Sequence, residues 1–189
     1  NAGSIEVMES GDSVVYIRFQ DDIFFDSDEY YLRQSAYPVL DVIGDAIHSV
    51  EDEIYIISIN GHTAQVDDPN YAVSDWMLSS ERASSVAIYF EEEKQIDPQK
   101  MRPMGYGKNY PIASNDTPEG RQKNRRVDIA IVKNSEGVVA GDMEQVLQSL
   151  FDPTSFPTTG GVSDLFTPEG SVSSSQTEPE TAQSSGEGV

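Results

Sequence analysis

Apolar and polar positions follow two periods along the first 133 residues. Residues 13–19, SVVYIRF, are rich in β-branched and aromatic side chains and predict a strand. Across 35–50 the apolar residues Ala36, Val39, Leu40, Ile43, Ile47 and Val50 recur at helical spacing. Ser35 stands where a cap belongs, and Pro38 falls in the first turn, where its missing N–H is tolerated. Residues 54–59, IYIISI, are continuously apolar, as in an interior strand covered on both faces, and Gly61 closes the run. A second helix is expected from Ser74 or Asp75, with Trp76, Ala83, Val86, Ala87 and Phe90 as its inward stripe. DPQKMRPMGYG (97–107) reads as a turn and a short strand. In RRVDIAIV (125–132), Val127, Ile129 and Ile131 alternate as in a half-buried strand. The order βαβαββ predicts an α/β fold: a two-layer sandwich, a mixed sheet with helices on one face and right-handed crossovers.

The pattern breaks after 133. Residues 1–133 form the predicted globular domain, and 134–189 an acidic appendage that holds nine of the 33 acidic residues and no Lys or Arg. Within it Met143, Val146, Leu147 and Leu150 share one face of a short predicted helix near 142–151, expected to dock on its own domain. The remainder, rich in Ser, Pro, Glu, Thr and Gly, carries too little apolar surface to offset its ordering entropy and is predicted to be disordered.

Charge narrows the functions. With 33 acidic and 12 basic residues the formal charge is −21, so a nucleic-acid partner is excluded by repulsion from the phosphates. No run of about 20 apolar residues is present to span a bilayer. The chain begins without methionine or a signal peptide, which suggests a portion of something longer. Cysteine is absent, which removes disulfides, thiolate metal sites and a cysteine nucleophile. The two histidines, His48 and His62, and the acids Asp67, Asp68 and Asp75 match no metal-ligand spacing, so no metal is expected. His62, just past a strand, reads instead as a hydrogen-bonding residue that pins the loop. There is no G-x-S-x-G element and no glycine-rich phosphate cradle in a strand–loop–helix context. Neither an enzyme nor a cofactor is predicted.

Cations are scarce and therefore informative. Arg82 borders the apolar stripe of the second helix, with apolar Leu78 and Val86 four residues away on either side. A local ion pair is thus ruled out, which leaves a distant carboxylate or a ligand. Arg121, Lys123, Arg125 and Arg126 cluster in GRQKNRRVD beside the last strand. At least one of Arg125 and Arg126 is expected to tie that strand to nearby loops through carboxylates.

Three blocks in order, GHT (61–63), WMLSSERASSV (76–86) and GYGKNYPIASNDTPEGRQKNRRVDIAI (105–131), closely resemble the OmpA-like C-terminal domain family, in particular its flagellar motor stator branch. The resemblance covers about residues 12–133. It implies a non-catalytic, extracytoplasmic module that binds the stem peptide of cell-wall peptidoglycan and anchors a membrane complex. For the stator branch it further implies a homodimer, held at the cytoplasmic membrane by a preceding segment that meets an ion-channel partner. By the same resemblance, the arginine of the helix motif and the aspartate of GHTD clamp the zwitterionic end of the stem peptide. Arg82 matches that arginine, Asp75 replaces the motif asparagine, and Arg125 is the member of its pair expected to reach the site. Ala64 stands where the motif has aspartate, and a methyl group cannot pair with an ammonium. The implied ligand set is Arg82, Thr63, Asp75 and Arg125, with Asp67, Asp68 or Asp75 supplying the missing carboxylate. A wall peptide with another third residue, a domain that keeps the fold and serves as a protein–protein module, or a general envelope protein of the family unconnected with motility, are the alternatives.

Overall fold

Five strands and three helices carry the described part of the chain, residues 5–10, 14–66 and 72–134 of a computed structural model. In chain order they are β1 (Ile5–Ser10), β2 (Val14–Gln20), α1 (Tyr37–Ser49), β3 (Ile54–His62), α2 (Asp75–Lys94), β4 (Met101–Gly105), α3 (Pro118–Asn124) and β5 (Arg126–Lys133). The sheet order is β1-β2-β5-β3-β4, antiparallel throughout except for the parallel pair β3–β4 that α2 connects. This is the expected two-layer, mixed-sheet α/β fold, with β1 and α3 added to the predicted order. IEVMES is too short for its alternation to stand out. The start of α3 was legible: Thr117 accepts from Gly120 N–H, and Pro118 occupies the first turn.

The core lies between the sheet and the pair α1, α2. Ile17, Phe19, Ile57, Ile59, Val127 and Ile129 meet Leu40, Ile43, Ile47, Val86 and Phe90 in one buried cluster. Two glycines permit the closest approach: a Cβ on Gly61 would run into the Ser79 carbonyl, and one on Gly105 into Ser80. That contact explains one departure from expectation. Ser79 already abuts the last residues of β3 and β4, so Trp76, one turn earlier, extends past the sheet and is 57% exposed, while Leu78 is buried instead. Ser74 caps α2 as expected, accepting from Met77 N–H at 3.4 Å. Ser35 does not cap α1. Its hydroxyl donates to the Ile23 carbonyl, and Ala36 occupies the cap position without a side-chain bond. β5 is not half-buried either, because both of its faces are covered from Arg126 to Val132. At the sheet edge, β4 carries Pro103, which has no N–H to offer a further strand.

The predicted helix near 142–151 and the predicted disordered stretch lie outside the described residues, as do Asp67 and Asp68.

Candidate functional site

One end of the sheet gathers most of the residues singled out from sequence. His62 of β3 pairs with Arg126 of β5, which pairs with Gln20 of β2. The chain continues beyond those pairs into Thr63, into Arg125 in the reverse direction, and into Asp21. Gly107, at φ +57, closes the turn after β4: its carbonyl accepts from Thr63 N–H at 3.0 Å and its own N–H donates to Ser79 Oγ at 3.0 Å. That positive φ favours glycine, although Asp28 and Gln95 adopt a similar value elsewhere in the chain. The Thr63 hydroxyl donates to Asp75 Oδ1 at 2.8 Å, and Lys108 Nζ stands 3.4 Å from Asp75 Oδ2. Asp75 thus sits in the first turn of α2, where the helix dipole favours a carboxylate. Its partner Lys108 is half exposed. At position 64 the Ala64 methyl is buried, and the carboxylate bonded to its neighbour Thr63 is that of Asp75.

Arg82 departs from the expected role. The residue is 2% exposed, and Nη1 donates to Asp21 Oδ2 at 2.6 Å. Nε donates to the Glu29 carbonyl at 2.8 Å and Nη2 to the Asp26 carbonyl at 3.1 Å, with the Phe25 ring 5.1 Å away. The distant carboxylate is thus Asp21, in the turn directly after β2. Arg82 fastens the loop 21–29 to α2 and is not an open clamp. A ligand meets it only if that loop moves. Burial pushes the Asp21 carboxyl above its ordinary range, against the pull of Arg82 and Arg125. Arg125 is the accessible cation here, with its side chain 40% exposed and Nε 3.9 Å from Asp21 Oδ1.

Behind the site the sheet carries a buried ionic group. Arg18 Nε and Arg126 Nε donate to the two oxygens of Asp128 at 2.8 and 2.9 Å, and Arg126 Nη1 reaches the Tyr110 carbonyl at 3.2 Å. Arg126 is thus the member of its pair that ties the last strand to a loop. Burial alone would raise Asp128, but Arg126 and Arg18 hold its carboxyl well below the usual range. His62 stacks on Tyr106 with centroids 5.3 Å apart, and burial, with Arg126 beside it, lowers its pKa to about 3. His62 anchors the loop by this stack. Asn124 completes the frame: its Oδ1 accepts from Ile112 and Ala113 N–H at 2.8 and 2.9 Å, holding the segment before α3. Among the described residues, no three His, Asp or Glu side chains are grouped to hold a metal ion.

The model of the OmpA family matches residues 24–125, more than half of the chain. The chain belongs to the OmpA family. Two similar curated relatives are Outer membrane protein A of Bordetella avium, 40% identical over 114 residues, and Motility protein B of Bacillus subtilis, 36% identical over 117 residues. These alignments take in 60% and 61% of this chain but 56% and 44% of the relatives, so the chain spans about half their length. Among solved structures, the cell wall anchor of the T6SS from Pseudomonas aeruginosa superposes with a TM-score of 0.61 at 25% identity, covering 70% of this chain and 90% of that one. For an OmpA-family chain, Asp21 and Lys108 are the site residues that sequence reasoning missed. Lys108 lies within the quoted GYGKNYP, whereas nothing local marks Asp21.

Proposed function

We propose that this OmpA-family domain binds peptidoglycan without catalysis, on the outer side of the cytoplasmic membrane, and so fastens a larger assembly to the cell wall. The observation that carries the reading is a carboxylate and a guanidinium, both reachable, at one end of the sheet. Asp75 is held by Thr63, with Lys108 as its one cationic partner among the described residues, and Arg125 is exposed beside Asp21. A zwitterionic peptide end would exchange its ammonium for that of Lys108 on Asp75 and place its carboxylate on Arg125. A half-exposed ion pair of the Lys108 kind is worth at most about 1 kcal/mol, so the exchange is cheap. Asp67 and Asp68, in the adjoining loop, are further carboxylates within the proposal. Arg82 acts through position, fixing Asp21 and the loop 21–29.

The finer reading is a flagellar motor stator: a homodimer, tethered to the cytoplasmic membrane by a segment preceding this domain and working with an ion-channel partner. The likeness to Motility protein B supports it. A second reading, a protein–protein module that has kept the fold without the ligand, is favoured by buried Arg82 and by Ala64.

Co-sedimentation with purified sacculi separates them, using walls of diaminopimelate and of lysine type. Wild-type domain should pellet, and Asp75→Asn and Arg125→Ala should each weaken retention about tenfold or more, from the 1.5–3 kcal/mol of a charged hydrogen bond. No retention on either wall, with the fold intact, would refute the wall-binding reading.

A further inference from the structure

The sheet has two faces, and α1 and α2 account for one. Val15, Ile17, Ile57, Ile129 and Ile131 join the cluster those helices share, and their alternate neighbours point the opposite way. Near the Lys133 end that opposite face is apolar. Val14 pairs with Val132, which pairs with Ile56; the next row sets Met8 beside Tyr16 and Ala130. Met8, Val14, Tyr16, Ala130 and Val132 are 0–7% exposed, yet none of them belongs to the helix-side cluster. Toward the other end the same face turns charged, with Arg18 on Asp128.

We propose that this face is the docking surface for the chain's own segment 142–151, DMEQVLQSLF. Five observations select that occupant. The apolar face is buried although α1 and α2 lie on the other side, so something else covers it. The chain leaves β5 at its apolar end, where Asn134 N–H and Nδ2 bind the carbonyls of Glu53 and Asp52 at 2.6 and 3.0 Å. The seven residues 135–141 then reach about 23 Å when extended, enough to turn back over any strand. The ten residues that follow, as a helix, span about 15 Å, which matches about 14 Å across the four strands β1, β2, β5 and β3. Met143, Val146, Leu147 and Leu150 form the apolar stripe that would lie on Met8, Tyr16 and Val132, and Glu144, Gln145 and Gln148 would face water. The domain then becomes three layers, helices–sheet–helix, independent of the wall-binding site at the far end of the strands.

Methionine oxidation by peroxide tests this in the full chain. Met77 is exposed, Met101 is buried on the helix side, and Met8 is buried on the proposed docking face. In wild type, Met8 and Met143 should oxidise at least ten times more slowly than Met77. Leu147→Asp with Leu150→Asp should speed Met8 at least fivefold and leave Met101 slow. If Met101 also speeds up, the milder Leu147→Ser is read in the same way. Unchanged protection of Met8 in these variants overturns the proposal. So does Met8 protection that disappears on dilution together with a dimer seen by sedimentation, because a second copy would then cover the face.

Discussion

Replacing His62 by phenylalanine should flatten the acid side of the stability curve. The residue is 1% exposed and stacked on Tyr106, with Nε2 3.7 Å from the Asp128 carboxylate. Burial, then Arg126, lowers its pKa from 6.5 to about 3, and Asp128 only partly opposes them. Between those values the unfolded chain binds a proton that the folded one refuses. Stability therefore falls as pH falls through that window, by about 1.4 kcal/mol per unit. From pH 7 to pH 5 the loss is about 2 kcal/mol. Asp128 stays ionised throughout, since its two arginines hold it well below this range. Phenylalanine keeps a ring against Tyr106 and removes the titration. Urea melts followed by far-ultraviolet circular dichroism would show the wild-type midpoint dropping by about 1 M more than that of His62→Phe over the same two units, given a slope near 2 kcal/mol per M. Parallel midpoints for the two proteins would refute a neutral buried imidazole.

Arg82→Ala should cost about 3–5 kcal/mol, because it strands Asp21 and two carbonyls, and Asp21→Asn with Arg82→Met should recover part of that in the same melts. Gly61→Ala should destabilise by about 1–3 kcal/mol or more through collision with the Ser79 backbone, and wild-type stability in that variant would contradict the close helix–strand approach. Ser74→Ala should lose about 1 kcal/mol by uncapping α2, with faster amide exchange at Met77 as its local signature.

Periodicity exposed α1, β3 and most of α2, since each buries one stripe or most of a run against its neighbours, although the start of β3 is not covered on both faces and Tyr55 there is 52% exposed. It misjudged Trp76 because a wheel records angle around the axis and not how far the helix outruns the sheet. The burial of β5 on both faces was hidden for a related reason. Arg126 and Asp128 look like solvent-facing positions until Arg18, 110 residues away from Asp128, is brought beside them. Arg82 shows the same limit at the site. Its apolar neighbours at i±4 announced a distant partner, but the identity of Asp21 depends on β2 ending next to β5. Asp75 was legible as a capping-region carboxylate, whereas its bond to Thr63 required the turn at Gly107.

Pro103 gives the sheet a growing side and a dead one. Hydrogen-bonded extension by another chain, the route by which crowded β-proteins polymerise, is disfavoured at the β4 margin relative to the β1 margin, the two edges of the described sheet. Among the described strands, two such domains held side by side in one assembly would therefore meet edge to edge more readily through β1 than through β4.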